Sequence, residues 1–164
     1  MYKVEIIKEN AFDCNWTTLL VGRQLKLIPS LEVTKYAVRY LENNPTVNDE
    51  LILELAWEQE EDQVDGLLER MASKSSSEVM DKEYHKWLYS VLKEKYSNAL
   101  LNDDVEDSVF REIENIFSMF NTPEHMYEFF RKVSDAFYYP ADSKQTIHQI
   151  IKEFLSTERQ LALN

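Results

Sequence analysis

Along most of the chain, hydrophobic residues recur three or four positions apart, which places them on one face of an α-helix. From Trp16 onward this pattern divides into about eight segments separated by prolines and polar stretches. The chain has only 2 glycines and 4 prolines, too few for the many turns of a strand-rich fold. We therefore predict amphipathic helices joined by short polar loops.

Several of these helices have recognisable start signals. Asn15, Ser30 and Ser143 each precede an amphipathic segment, and their side chains can accept hydrogen bonds from the backbone N–H groups of a first turn. Thr122 and Pro123 form a stronger signal, with Thr as the cap and Pro at the first helical position. The helices are therefore expected to begin next to these residues.

Residues 1–8 are the exception, because the alternation of Val4 and Ile6 with polar residues predicts a short strand. Amphipathic helices bury their apolar stripes against one another. We therefore predict an all-α fold: one irregular bundle of antiparallel helical hairpins, forming a single domain over residues 1–164. A short α-solenoid is the second choice, since no residue signature repeats at a fixed period. The expected core includes Trp87, Ile113, Phe117, Phe130 and Ile151.

The charge of the chain is concentrated in one region. The formal net charge is −12. Between Glu42 and Glu69 the sequence has ten acidic residues and neither Lys nor Arg, whereas the rest of the chain is almost neutral. A negative field repels phosphate backbones, which argues against nucleic-acid binding, and it attracts basic proteins. We therefore expect a basic protein as the partner.

Within this acidic region, Glu50, Glu54 and Glu58 follow one another at a spacing of four, where like charges repel on a helix. Trp57 lies off the apolar stripe and beside these acids, as in a binding hot spot. The alternatives are a solvated, solubilising helix face and burial of Trp57 in the core. The predicted partner-binding residues, whose acids we expect to face solvent, are Glu50, Glu54, Trp57, Glu58, Glu60, Glu61, Asp62 and Asp65.

The sequence contains no motif for catalysis or for a cofactor. Asp81 and His85 are four residues apart, but no His-Glu-x-x-His or paired-cysteine motif accompanies them, and we interpret them as surface residues. Cys14 has no neighbouring cation in the sequence to lower its pKa, which favours a structural thiol. The acids before Gly66 do not form an EF-hand, because Ala72 replaces the required Glu. We therefore predict no catalytic, cofactor-binding or metal-binding residue.

The expected location is the cytoplasm. Cys14 is the only cysteine, so that no internal disulfide can form, which suits a reducing compartment. The first residues do not have the pattern of a signal peptide. No run of about 18 apolar residues is present to span a membrane.

Four segments together carry a resemblance to a known family. They are Asn-Trp at 15–16 leading into Leu-Leu-Val-Gly at 19–22, His-Lys-Trp-Leu-Tyr-Ser-Val-Leu at 85–92, Ile-Phe-Ser-Met-Phe at 116–120, and Phe-Tyr-Tyr-Pro at 137–140. With them the chain resembles domain of unknown function 2247, a bacterial family. The resemblance implies a small cytoplasmic protein without assigned catalytic residues. Such proteins are often suspected of being immunity partners of toxins delivered between bacteria.

Three functional hypotheses follow from the sequence. The first is a non-catalytic binding protein, such as an immunity protein whose acidic face masks a basic toxin. The second is a metal-dependent or hydrolytic enzyme that holds acids and a histidine inside a helical bundle. The third is a structural or regulatory helical module that forms a homodimer through exposed aromatic residues.

Overall fold

The computed structural model describes residues 1–164 and contains only helices, so the all-α prediction is confirmed. No helix is long and apolar enough to cross a membrane. The nine α-helices are α1 (Glu5–Glu9), α2 (Trp16–Gln24), α3 (Ser30–Asn43), α4 (Glu50–Trp57), α5 (Glu61–Met71), α6 (Ser77–Ala99), α7 (Val105–Met119), α8 (Tyr127–Tyr138) and α9 (Ile147–Leu163), with a 3-10 turn at Glu124–Met126.

The chain divides into two compact units, Met1–Tyr84 and His85–Asn164, with the boundary inside α6. The assignment of one domain to the whole chain stays a prediction. In the first unit, α3 packs against α4, and α5 packs against α2, α3 and α4. Aliphatic side chains fill the space between these helices, as the hydrophobic spacing predicts. The most deeply buried include Leu19, Ile28, Val33, Leu55, Val64 and Leu68.

In the second unit, α8 packs against both α7 and α9, and the 3-10 turn packs against α8. Trp87, Ile113 and Ile151 are almost completely buried, which confirms their place in the core. Phe117 and Phe130 are only half-buried, so their assignment to the core was wrong. Their rings stack on each other with centroids 5.0 Å apart, at the margin of the α7–α8 contact rather than inside it.

The predicted strand at the start of the chain was wrong, because residues 5–9 form helix α1. Ile6 and Ile7 are both buried although they are adjacent in sequence, which a helix allows and a half-buried strand does not. Asn15 caps α2 as predicted, accepting backbone N–H groups of Thr17 and Thr18. Ser30 is the first residue of α3 and gives no side-chain cap.

Two later start signals were misplaced by several residues. Helix α9 begins at Ile147, and its cap is Thr146, which exchanges hydrogen bonds with Gln149 in a capping box; Ser143 lies in the preceding loop. After Pro123 the chain forms only the 3-10 turn, and α8 begins at Tyr127. The first error arose because Thr146, which can also cap a helix, lies three residues after Ser143, whereas α8 begins without a side-chain cap.

Candidate functional site

Four of the eight predicted partner-binding residues lie together on one exposed face of α4. This helix buries Ile52 and Leu55. Its opposite face forms a shallow depression, which we call the α4 surface, lined by Glu50, Leu53, Glu54, Trp57 and Glu58. Trp57 is 83% exposed. The alternative of core burial for Trp57 is therefore wrong.

The acids of the α4 surface differ in what they contact. Glu50 and Glu54 are exposed and form no ion pair. Glu58 is half-buried, and its Oε1 accepts the backbone N–H groups of Gln59 and Glu60 at 2.8 and 2.9 Å, immediately before α5. The two carboxylates that remain available to a partner are thus those of Glu50 and Glu54, one and two turns before Trp57.

Helix α3, which contacts the end of α4, also has exposed apolar side chains. Thr34 Oγ1 donates a hydrogen bond to the Glu58 carbonyl oxygen, 3.1 Å away. Leu31 and Val38 lie about one turn before and after Thr34, on the same face of α3. They are 56% and 38% exposed. Exposed aliphatic groups therefore flank the contact that joins α3 to the end of α4.

The other four predicted residues lie at the start of α5: Glu60 directly precedes the helix, and Glu61, Asp62 and Asp65 are in its first turns. Two of them, Glu61 and Asp65, form ion pairs with Arg23. Arg23 Nε lies 2.7 Å from Asp65 Oδ1, and its Nη2 lies 2.5 Å from Glu61 Oε1. The Arg23 side chain is only 7% exposed. Hydrogen bonding to Asp65, opposed by burial and reinforced by Glu61, raises the pKa of Arg23.

Asp65, whose side chain is 39% exposed, therefore contacts solvent and also has a partner inside the first unit. Arg23 also donates from Nη1 to the Ile28 carbonyl oxygen at 3.0 Å, so that one guanidinium joins α2, the following loop and α5. Asp65 and Glu61 therefore stabilise the first unit, and reversing their charge would disturb the fold. Glu60 and Asp62 remain exposed, and their role in partner binding stays a prediction.

We expect the Asp65→Ala variant to lose about 2 kcal/mol of unfolding free energy, because the nearly buried Arg23 loses two charge-assisted hydrogen bonds. Asp62→Ala is the matched control, since Asp62 is exposed on the same turn and forms no ion pair; it should change stability by less than about 0.5 kcal/mol. Urea denaturation of both variants measures the difference. Equal stabilities would show that Arg23 does not depend on Asp65.

A second cluster of chemically active side chains lies in the second unit and was not predicted from the sequence. It comprises His85 on α6, His125 in the 3-10 turn and Glu158 on α9. His85 Nδ1 lies 2.6 Å from Glu158 Oε2, and His125 Nε2 lies 3.4 Å from Glu158 Oε1. The two imidazole rings meet edge to face with centroids 5.3 Å apart.

Glu158 is the buried centre of this cluster, with a side chain only 1% exposed. His85 forms a hydrogen bond with one carboxylate oxygen, whereas the buried Oε1 has no hydrogen-bond partner and lies 3.4 Å from His125 Nε2. Burial raises the pKa of Glu158, but the opposing interactions with His125 and His85 outweigh it, and the net pKa is lowered. The carboxylate is therefore held in its ionised form.

The cluster is reached from outside through a cleft of about 280 Å³. His125 and Glu158 lie at this cleft, and His125 is 38% exposed, whereas His85 is only 17% exposed. Phe129 and Phe154, whose rings stack with centroids 4.0 Å apart, form its apolar wall. Lys132, Glu128 and Glu153 add charged groups to the lining.

Both candidate sites lie inside a segment that matches a family model. The model for DUF2247, described as an uncharacterised protein conserved in bacteria, matches residues 4–159. The chain belongs to the DUF2247 family. This confirms the resemblance found in the sequence, and it places His85, His125 and Glu158 within the matched region. Comparison with curated proteins and with solved structures found no match.

The description of the DUF2247 family names neither a reaction nor a ligand. A function can therefore be inferred only from the residues and geometry of the two sites. One feature of the sequence indicates the histidine cluster. On α9, Ile151, Leu155, Glu158 and Ala162 follow one another at helical spacing, which places a carboxylate on the apolar stripe. Such a position requires a partner inside the protein. The interpretation of His85 as a surface residue was wrong, because its side chain is only 17% exposed, whereas Asp81 is exposed and outside the cluster.

Proposed function

We propose that this member of the DUF2247 family is a cytoplasmic, non-catalytic binding protein that docks a basic protein partner on its α4 surface. The observation that carries the proposal is the exposure of Trp57, which is 83% accessible between carboxylates and apolar neighbours. Single exposed aliphatic residues are ordinary, but an exposed indole with Leu53 beside it is typical of a hot spot.

The apolar groups supply the gain in free energy on binding. Trp57, Leu53, Leu31 and Val38 all keep a large exposed fraction. Covering an aromatic side chain buries on the order of 150–250 Å² of surface, and each Å² of apolar area contributes about 25 cal/mol. An apolar anchor from the partner, placed against the Trp57 indole, would therefore provide most of the affinity.

The acids select which partner is attracted. Glu50 and Glu54 have no cation of their own, and no Lys or Arg occurs between residues 42 and 69. Arg23, which does approach this region in space, is already neutralised by Asp65 and Glu61. A basic surface would gain attraction and a faster association, whereas nucleic acid would be repelled.

An immunity role is the finer form of this proposal. A toxin that acts on nucleic acid needs a basic surface for phosphate groups. The α4 surface has the opposite charge and an apolar centre, so that it could cover such a surface and block the access of substrate. The family's restriction to proteins conserved in bacteria is compatible with this role.

The proposal is tested by selecting binders from a phage-displayed library of random peptides on the purified protein. We expect the selected peptides to combine several Lys or Arg residues with at least one large apolar residue, because the α4 surface offers acids around an indole. Sequencing of the enriched pool measures this composition. A parallel selection on the Trp57→Ala variant is the control and should lose these peptides.

A pool that is neutral or acidic, or that is enriched equally on both proteins, would contradict the proposal. The Leu101→Ala variant separates a specific effect from a general loss of exposed apolar surface. Leu101 is 84% exposed, nearly the same as Trp57, but has no place on the α4 surface. Selection on Leu101→Ala should therefore recover the same peptides as the parent protein.

A further inference from the structure

We propose that His85, His125 and Glu158 bind one divalent transition-metal ion of the zinc class. No metal ligand was predicted from the sequence, and the description of the family names none. The inference is independent of the proposed docking on α4, which lies in the other compact unit. It rests on the geometry, burial and chemistry of three side chains.

The three side chains already converge. One nitrogen from each histidine and one oxygen from Glu158 all lie within 4.8 Å of one another. Zinc binds histidine nitrogen and carboxylate oxygen at about 2.0–2.2 Å, so that neighbouring ligand atoms in a tetrahedral site are roughly 3.4 Å apart. His85 Nδ1 lies 2.6 Å from Glu158 Oε2, and His125 Nε2 lies 3.4 Å from the other oxygen, Oε1, so that each histidine is within that separation of one oxygen of the carboxylate.

The buried carboxylate gives an independent reason to expect a cation. Glu158 Oε1 is buried without a hydrogen-bond partner. Leaving a buried charged acceptor unsatisfied is costly, and natural proteins seldom tolerate it unless the group has a function or a bound ion. A metal ion between Oε1 and the two imidazoles would satisfy this oxygen and compensate its charge.

The donor set determines the class of metal. Two imidazole nitrogens and one carboxylate suit Zn²⁺ and its neighbours in the transition series, whereas Mg²⁺ and Ca²⁺ prefer all-oxygen sites. Three protein ligands leave one position of a tetrahedral ion open. Because His125 and Glu158 lie at the cleft beside Phe129 and Phe154, that position would be filled from solvent.

Titration of the chelator-treated full-length protein with ZnCl₂, followed by isothermal calorimetry, tests the proposal. We expect one equivalent to bind with a dissociation constant of about 1 µM or lower. CoCl₂ should give the visible absorption of a low-coordinate Co²⁺ ion with nitrogen ligands. The His125→Ala and Glu158→Gln variants should each lose affinity by about 100-fold or more.

His148→Ala is the matched control, because His148 contacts Tyr96 and takes no part in the cluster. Its zinc affinity should equal that of the parent. The His125→Ala variant should keep the fold, because the half-exposed His125 side chain is not part of the core. Circular dichroism of this variant measures its helix content, so that a loss of zinc affinity can be distinguished from misfolding. Absence of a one-to-one zinc complex, or unchanged affinity in His125→Ala, would overturn the proposal. So would equal affinity for CaCl₂, because it would assign binding to surface carboxylates.

Discussion

The Trp87→Ala variant is expected to lose about 3–5 kcal/mol of unfolding free energy, the largest effect of any single substitution considered for this chain. Trp87 lies in the middle of α6 and is completely buried, together with its neighbours Leu88 and Val91. Truncation removes the transfer free energy of an indole and leaves a cavity that the surrounding helices fill only in part. Guanidinium denaturation followed by circular dichroism measures the loss.

Trp57→Ala is the matched control for this experiment, because it removes the same side chain from an exposed position. Its effect on unfolding should be below about 0.5 kcal/mol. The contrast between the two tryptophans is more informative than either value, since they differ mainly in burial. Similar losses in both variants would mean that the assignment of Trp87 to the interior and Trp57 to the surface is wrong.

The same Trp57→Ala variant is expected to bind the tightest selected basic peptide about 30-fold more weakly than the parent. Loss of a central aromatic anchor typically costs about 2 kcal/mol or more, and 1.4 kcal/mol corresponds to a factor of ten. Because the substitution leaves the core intact, the loss would report the contact itself. Fluorescence anisotropy of a labelled peptide measures both affinities, with Leu101→Ala as the control.

The charges of the α4 surface should act mainly on the association rate. In the double variant Glu50→Gln and Glu54→Gln, association should be slower at low salt, and the difference should shrink as the Debye length falls from about 30 Å at 0.01 M to about 8 Å at 0.15 M. Glu106→Gln with Glu114→Gln removes two exposed acids from α7 and is the control. Equal rates in both double variants would show that only the overall charge matters.

The helices could be predicted because their hydrophobic spacing is strong and glycine is rare. Trp87, Ile113 and Ile151 were recognised as core residues from that spacing alone. Helix boundaries were less predictable, because local signals compete. Thr146 rather than Ser143 caps α9, and both are residues that can start a helix; only the packing of the following turn decides between them.

The candidate sites could be predicted from the sequence only where they depend on neighbouring residues in the chain. Trp57 could be recognised because it is next to acids and outside the apolar stripe, both of which are local properties. The role of Asp65 could not be predicted, because its partner Arg23 lies 42 residues earlier in the chain. Likewise His85 and Glu158 are 73 residues apart and meet only when the second unit folds. The position of Glu158 on the apolar stripe of α9 indicates that its carboxylate is buried, but the sequence does not show which residues contact it.

The most direct measurement is a nuclear magnetic resonance titration of the ¹⁵N-labelled protein with the tightest selected basic peptide. The indole N–H signal of Trp57 and the backbone signals of residues 50–58 should shift progressively, because the peptide covers the α4 surface. The indole signal of the buried Trp87 should stay in place. If the Trp57 signal is unchanged while the shifts concentrate in residues 85–164, the partner docks elsewhere and the α4 surface is not the binding site.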